Sequence, residues 1–202
     1  MRVLPYGDRA VLIEVDTLDQ VRAVHSGLLG AKLGGVVDLV PAARTVLVTF
    51  SRPAPTCQVR SILESVDLTA VPAAAGRELV IPVHYDGPDL DLVARTAGLS
   101  TAEVIELHTS AGYSVAFTGF APGFGYLTGL PAPLRQSRLD SPRATVPSGA
   151  VGIAGEFTGV YPKSSPGGWR LLGHTELTMF DARRDPAALL APGDRVRFEV
   201  AS

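Results

Sequence analysis

Residues 113–175 read YSVAFTGFAPGFGYLTGLPAPLRQSRLDSPRATVPSGAVGIAGEFTGVYPKSSPGGWRLLGHT, and this stretch constrains the fold more than any other. Between Gly119 and Gly173 it holds 11 of the chain's 21 glycines and seven of its 16 prolines. Glycine serves positions where the backbone takes positive φ or approaches another group closely, and proline fixes φ near −65°. Long helices are excluded here. What remains is a set of short strands joined by rigid turns, with Phe120, Phe124, Tyr126, Tyr161 and Trp169 carried on the loops. Loops of this kind either serve only the turns of a β-rich core or line a pocket with aromatic faces.

The flanking sequence gives the order of elements. Ala10–Val15 is an apolar run that reads as a buried strand after the turn signal PYGDR. Asp16 or Thr17 can cap a helix with Val21, Val24, Leu28 and Ala31 at helical spacing, stopping near Gly34 and Gly35. Val36–Val40 and Thr45–Phe50 form a hairpin, and Val59, Ile62, Leu63 and Val66 mark a second helix. This β-α-β-β-α order fits a small ferredoxin-like unit. The uncharged, aperiodic run TAVPAAAGR marks a boundary between a domain at residues 1–75 and one at 76–202. In the second, strand Glu78–Val83 precedes a helix over Asp89–Ala97 ended by Gly98. Ser100 and Glu103 form a capping box for a further helix that turns Val104, Leu107 and His108 inward. Strands are then expected at Tyr113–Thr118, Val146–Ala154, Trp169–Gly173, Glu176–Phe180 and Arg195–Val200. Many short strands between Gly/Pro turns indicate a closed or nearly closed barrel.

Composition narrows the function. A net charge of −2 leaves no electrostatic footprint for nucleic acid. No run of 18 apolar residues suggests a membrane span, and the MRVLPYGDRA start is not that of a signal peptide. Cys57 is the single cysteine, so neither an internal disulfide nor a thiolate cluster is expected, and a cytoplasmic protein is the natural reading. The four histidines lack metal-ligand spacing, so no metal is expected. GFAPGFGYL lacks the Gly-Lys-Ser/Thr ending of a phosphate loop, and Ser148 does not sit in a GxSxG elbow.

The candidate site residues all lie in or beside the glycine-rich stretch. Arg143 can hold a carboxylate or phosphate through both guanidinium nitrogens, or tie its loop to the barrel by a salt bridge. Lys163 can neutralise an anionic substrate or stand solvated. His174 can carry protons, histidine ordinarily titrating near neutrality, or be satisfied at a strand end. Ser165, Gly167 and Gly168 can bind an oxyanion or make the turn that lets Trp169 into the core. Phe120, Pro122, Gly123, Phe124 and Tyr126 on one loop would complete a substrate-binding wall. Pro147, Ser148, Gly149 and Tyr161 would join them from others.

GFAPGFGYLTGL followed by SPRATVPSGAVGIAGEFTGVYPKSSPGGWRLLGHT resembles the family named after allophanate hydrolase subunit 1. That family includes the B subunit of bacterial 5-oxoprolinase and the sporulation kinase inhibitor. The stretch also resembles half of the carboxyltransferase domain of biotin-dependent urea carboxylase. The resemblance implies an α+β chain: a ferredoxin-like N-terminal domain followed by a cyclophilin-like β-barrel. It implies one component of an ATP-dependent 5-oxoprolinase, which opens the lactam of 5-oxo-L-proline to glutamate, inactive without its partners. Those would be homologues of that enzyme's C subunit (allophanate hydrolase subunit 2 family) and of its A subunit. ATP with Mg would act in the assembled complex, with no tightly bound cofactor in this chain. Other members have arginine at the position of His174, which favours anion contact there. Two alternatives stay open: half of a biotin-dependent carboxyltransferase acting on a urea-like amide, and a non-enzymatic histidine-kinase inhibitor.

Overall fold

The computed structural model describes residues 1–70 and 76–201. The chain divides into two compact units, Met1–Ala73 and Ala74–Ser202. The middle of the expected domain boundary lies outside the described residues.

In the first unit, β1 (Arg2–Pro5) and β2 (Ala10–Glu14) are followed by α1 (Leu18–Gly30), β3 (Val36–Pro41), β4 (Thr45–Phe50) and α2 (Thr56–Glu64). The sheet is antiparallel with order β1-β2-β4-β3. The split β-α-β order of a ferredoxin-like unit is present, and β1 takes the edge beside β2. The sequence pattern does not mark that strand, because Pro5 at its end reads as a turn; proline is tolerated there because an edge strand leaves one row of N–H groups unpaired. Thr17 is the cap of α1, its side chain accepting from the Gln20 N–H. The helix ends at Gly30 rather than near Gly34, since Lys32 already takes the left-handed conformation. Val11, Ile13, Val46 and Val48 meet Val21, Val24, Leu28, Val59 and Leu63 in one core.

The second unit runs β5 (Glu78–Val83), α3 (Leu90–Ala97), α4 (Thr101–Ser110), β6 (Tyr113–Thr118), β7 (Gly125–Thr128), a short 3-10 turn at Ala132–Leu134, β8 (Arg143–Val146), β9 (Ala150–Ala154), β10 (Phe157–Val160), β11 (Ser165–Gly167), β12 (Arg170–His174) and β13 (Arg195–Val200). Gly98 ends α3 in the left-handed conformation, and Ser100 and Glu103 make the expected capping box. Seven strands pair in the order β12-β9-β10-β7-β6-β13-β5. Just beyond β5, His84 exchanges backbone hydrogen bonds of 2.8 and 2.9 Å with His174 on β12, joining the two outer strands of the sheet into a nearly closed barrel. β8 and β11 form a separate two-stranded ribbon.

Two expected strands differ. The run Val146–Ala154 is broken at Pro147–Gly149, so that Val146 ends the ribbon and Ala150 begins a barrel strand. Gly149 makes this turn at φ +82°, where an added Cβ would also strike the Thr175 carbonyl. Glu176–Phe180 is a loop. Its backbone groups are taken locally, Leu177 N–H by Thr175 Oγ1, the Thr178 carbonyl by Arg184 and the Met179 carbonyl by Leu189 N–H.

His108 does turn inward, into a polar line through the core. Thr158 uses its one hydroxyl proton on the Gly152 carbonyl (3.1 Å), so it must accept from His108 Nε2–H (3.1 Å). His108 Nδ1 then accepts from the Tyr85 hydroxyl at 2.7 Å. Burial pushes the His108 pKa down to about 3. The unfolded chain therefore binds one more proton than the folded chain between about 3 and about 6.5. Stability from this group is complete above pH 6.5 and is lost as pH falls toward 3. Urea unfolding followed from pH 7 to pH 4 should show this loss, and His108→Gln, which cannot take up the proton, should flatten it by about one proton. An unchanged slope in His108→Gln would refute the assignment.

Candidate functional site

The glycine-rich stretch brings its aromatic residues together. Phe124 packs edge-on against Tyr126, Tyr161 and Trp169 at ring separations of 5.0, 5.4 and 5.3 Å. Tyr126 and Tyr161 lie 5.6 and 6.5 Å from Trp169. Phe117 and Phe157, which the sequence pattern does not mark, extend the cluster by packing on Tyr126. Gly167 is required by this packing, since an added Cβ would meet the Tyr161 ring and hydroxyl.

Phe120 stands apart in conformation. It has φ +64°, and Ala121 N–H reaches back to the Gly119 carbonyl at 2.6 Å, which makes a γ-turn centred on Phe120. A bulky residue in the left-handed region is strained and persists where the surroundings fix it, commonly at ligand sites. Its ring is nevertheless 59% exposed, set edge-on to Phe124 (5.3 Å) and Tyr161 (6.0 Å). Phe124, Tyr161 and Trp169 are buried in a core cluster, so of these rings Phe120 is the one that offers a face to a flat ligand. Pro122 is exposed on the same loop, while Gly123 is buried against Met179 and Phe180.

Ser148 is less available than its exposure suggests, because its hydroxyl donates to the Pro162 carbonyl (3.1 Å); Pro147 beside it is exposed. Ser165 Oγ is buried with no hydrogen-bond partner among the described residues, an uncommon state. The Gly168 carbonyl accepts from Leu139 N–H. Lys163 is exposed and stands in no ion pair among the described residues.

Arg143 is already engaged. Its Nη2 donates to Asp89 Oδ1 at 2.7 Å and its Nη1 to the Trp169 carbonyl at 3.4 Å. Asp89 is 5% exposed, and its second oxygen accepts from Leu171 N–H at 2.7 Å. Asp89 also occupies the cap position of α3, where its side chain makes no capping bond because it is committed to Arg143 and Leu171.

His174 gains two neighbours that sequence spacing could not reveal. Its ring stacks on His84 at 5.1 Å, and its Nδ1 lies 2.9 Å from Asp86 Oδ1. That hydrogen bond is the main reason the Asp86 carboxyl sits below the usual carboxylate range. An ionised carboxylate only accepts, so Nδ1 carries the proton and the neutral ring presents Nε2 as a base. His174 is paired with Ala150, and Tyr161 N–H donates to the Ala150 carbonyl. Cross-strand partners share a face, so His174 projects on the same face as Ala150. Burial holds the Tyr126 and Tyr161 phenols above the ordinary tyrosine range, so they act as neutral hydroxyls.

Among the described residues no group of three or more His, Cys, Asp and Glu side chains is placed to hold a metal ion, and no helix is long and apolar enough to cross a membrane.

The chain is 40% identical to the B subunit of 5-oxoprolinase from Escherichia coli O157:H7, over 95% of this chain and 92% of that protein. The crystal structure of TTHA0988 matches with a TM-score of 0.81 and 36% identity, covering 96% of this chain but 40% of that one. Urea carboxylase of Kluyveromyces lactis matches in fold, with a TM-score of 0.77 at 19% identity over 99% of this chain and 22% of its own. The chain thus spans well under half of these two solved polypeptides. A model of the carboxyltransferase domain, subdomain C and D, matches residues 1–190, and to that family the chain belongs.

Proposed function

We propose that this chain is the B subunit of an ATP-dependent 5-oxoprolinase, which converts 5-oxo-L-proline, ATP and water into L-glutamate, ADP and phosphate. The observation that carries this reading is 40% identity to the B subunit of a 5-oxoprolinase across nearly the whole of both chains. The site geometry agrees with it. A five-membered lactam is small and flat, and the exposed Phe120 and the half-buried Tyr126 offer aromatic faces of that scale, with Tyr161 buried behind Phe120. His174 Nε2 would take a proton from the water that adds to the lactam carbonyl, with Asp86 holding the ring in the required tautomer. The C–N bond then breaks and the ring nitrogen is protonated.

ATP and Mg are a poor fit to the residues of this chain. It has no Gly-Lys-Ser/Thr loop and, among its described residues, no cluster of metal-ligating side chains. We therefore place the nucleotide with the partners, homologues of the A and C subunits, and assign it no step here. Fold likeness to urea carboxylase does not argue for carboxyl transfer, since one fold hosts many reactions.

The test is turnover of 5-oxoproline by the purified chain alone and mixed with both partner homologues, following glutamate and ADP together. Glutamate is expected only from the full mixture. A well-assembled complex that forms none would overturn the reading.

A further inference from the structure

We infer that Arg138 is the residue that binds the carboxylate of the substrate; the identity of that substrate rests on the proposed 5-oxoprolinase function. The sequence pattern gives Arg138 no prominence, but the structure fixes its backbone from both sides. The Gln136 carbonyl accepts from Gly155 N–H (2.7 Å), the Ser137 carbonyl accepts from Arg170 Nε (3.0 Å), and Leu139 N–H donates to the Gly168 carbonyl (2.8 Å). Arg138 is thereby held along Gly168–Arg170, beside the ring cluster that Trp169 forms with Tyr126 and Tyr161. Its positive charge favours the ionised forms of the Tyr126 and Tyr161 phenols, against the larger effect of burial.

The contrast with Arg143 identifies which arginine is available. Both act electrostatically on Tyr161, but Arg143 is paired with buried Asp89. Among the described residues no carboxylate lies within ion-pair distance of Arg138, and the residue is exposed. Tyr126 adds a half-buried hydroxyl for which the described residues supply no hydrogen-bond partner. An unpaired guanidinium near the half-buried Tyr126 hydroxyl and its ring suits a small molecule that joins a carboxylate to a flat ring. In 5-oxoproline the carboxylate and the lactam carbonyl lie on opposite sides of the ring nitrogen. Anchoring the first at Arg138 would orient the second.

The experiment uses Trp169, the chain's single tryptophan, as reporter. The full chain is titrated with L-5-oxoproline, with its neutral carboxamide and with 2-pyrrolidinone, following emission. Wild type should bind the carboxylate on the order of 10–100-fold more tightly than either neutral lactam. Arg138→Gln should abolish that preference, and Arg138→Lys should restore part of it. In the assembled complex, Arg138→Gln should raise the KM for 5-oxoproline by a similar factor, with kcat changed far less. Equal binding of charged and neutral lactams by wild type, no saturable response to the carboxylate, or an Arg138→Gln variant that keeps the preference would each overturn the inference. The two readings fail separately. Turnover with an unchanged KM in Arg138→Gln sinks the carboxylate assignment alone, whereas Arg138-dependent binding without turnover sinks the enzymatic one.

Discussion

Arg143→Ala should destabilise the barrel unit by about 3 kcal/mol, the lower end of what breaking a buried pair costs. Asp89 is almost fully buried and would keep only the Leu171 N–H as partner. Arg143 is itself about a quarter exposed, which lets some water reach the vacated space and keeps the loss from being larger. The measurement is urea unfolding followed by Trp169 emission, which reports on the unit that contains the pair. Pairing the change with Asp89→Asn provides the control. If the damage comes from an uncompensated buried charge, the double variant should be more stable than Arg143→Ala alone. A midpoint for Arg143→Ala equal to that of wild type would show the pair to be dispensable. Any activity lost by Arg143→Ala is to be judged at a temperature where its barrel remains folded.

His174→Gln in the assembled complex should behave in the opposite way, with stability kept and kcat lowered about 10²–10³-fold, the usual effect of losing a positioned proton carrier. The His174–Asp86 pair is open to solvent, with side-chain exposures of 45% and 63%. Pairs so exposed contribute roughly 0–1 kcal/mol to folding. A merely structural histidine would therefore leave turnover nearly unchanged. Asp86→Asn should cost less than His174→Gln, because it disturbs the tautomer but keeps the base. Turnover by His174→Gln within twofold of wild type would remove the histidine from the chemistry.

What can be read from the sequence depends on whether the signal is local. Thr17, Gly98 and the Ser100–Glu103 box act on backbone groups within a few residues, and each sits where its sequence neighbourhood indicates. The strands read at Thr45–Phe50 and Tyr113–Thr118 coincide with β4 and β6 residue for residue. β7, β10 and β11 leave no such trace because they are three or four residues long, too short for a period to emerge, and lie among glycines. The aromatic wall is legible as composition. Its partners are not, since Asp86 meets His174 across 88 residues and Asp89 meets Arg143 across 54. Arg138 carries no motif at all. Its distinction is that no carboxylate among the described residues pairs with it, which only a folded chain can show. Phe120 hides a strained γ-turn inside a string that reads as ordinary loop.

The pairing of β5 with β13 bears on the order in which this protein can assemble during synthesis. All six residues of β5, from Glu78 to Val83, lie in parallel register with β13, and Arg77 is tied to Asp194 at a separation of 117 residues. Until β13 has left the ribosome, Ile81 and Val83 have no adjacent strand on that side. The first unit needs no such distant partner, as its strands and helices are complete within their own segment. Residues 1–70 can therefore acquire their structure while the barrel is still being made. The barrel must hold its β-rich chain in an unfinished and adhesive state until its last strand arrives, and in that interval it is most open to aggregation and to capture by chaperones.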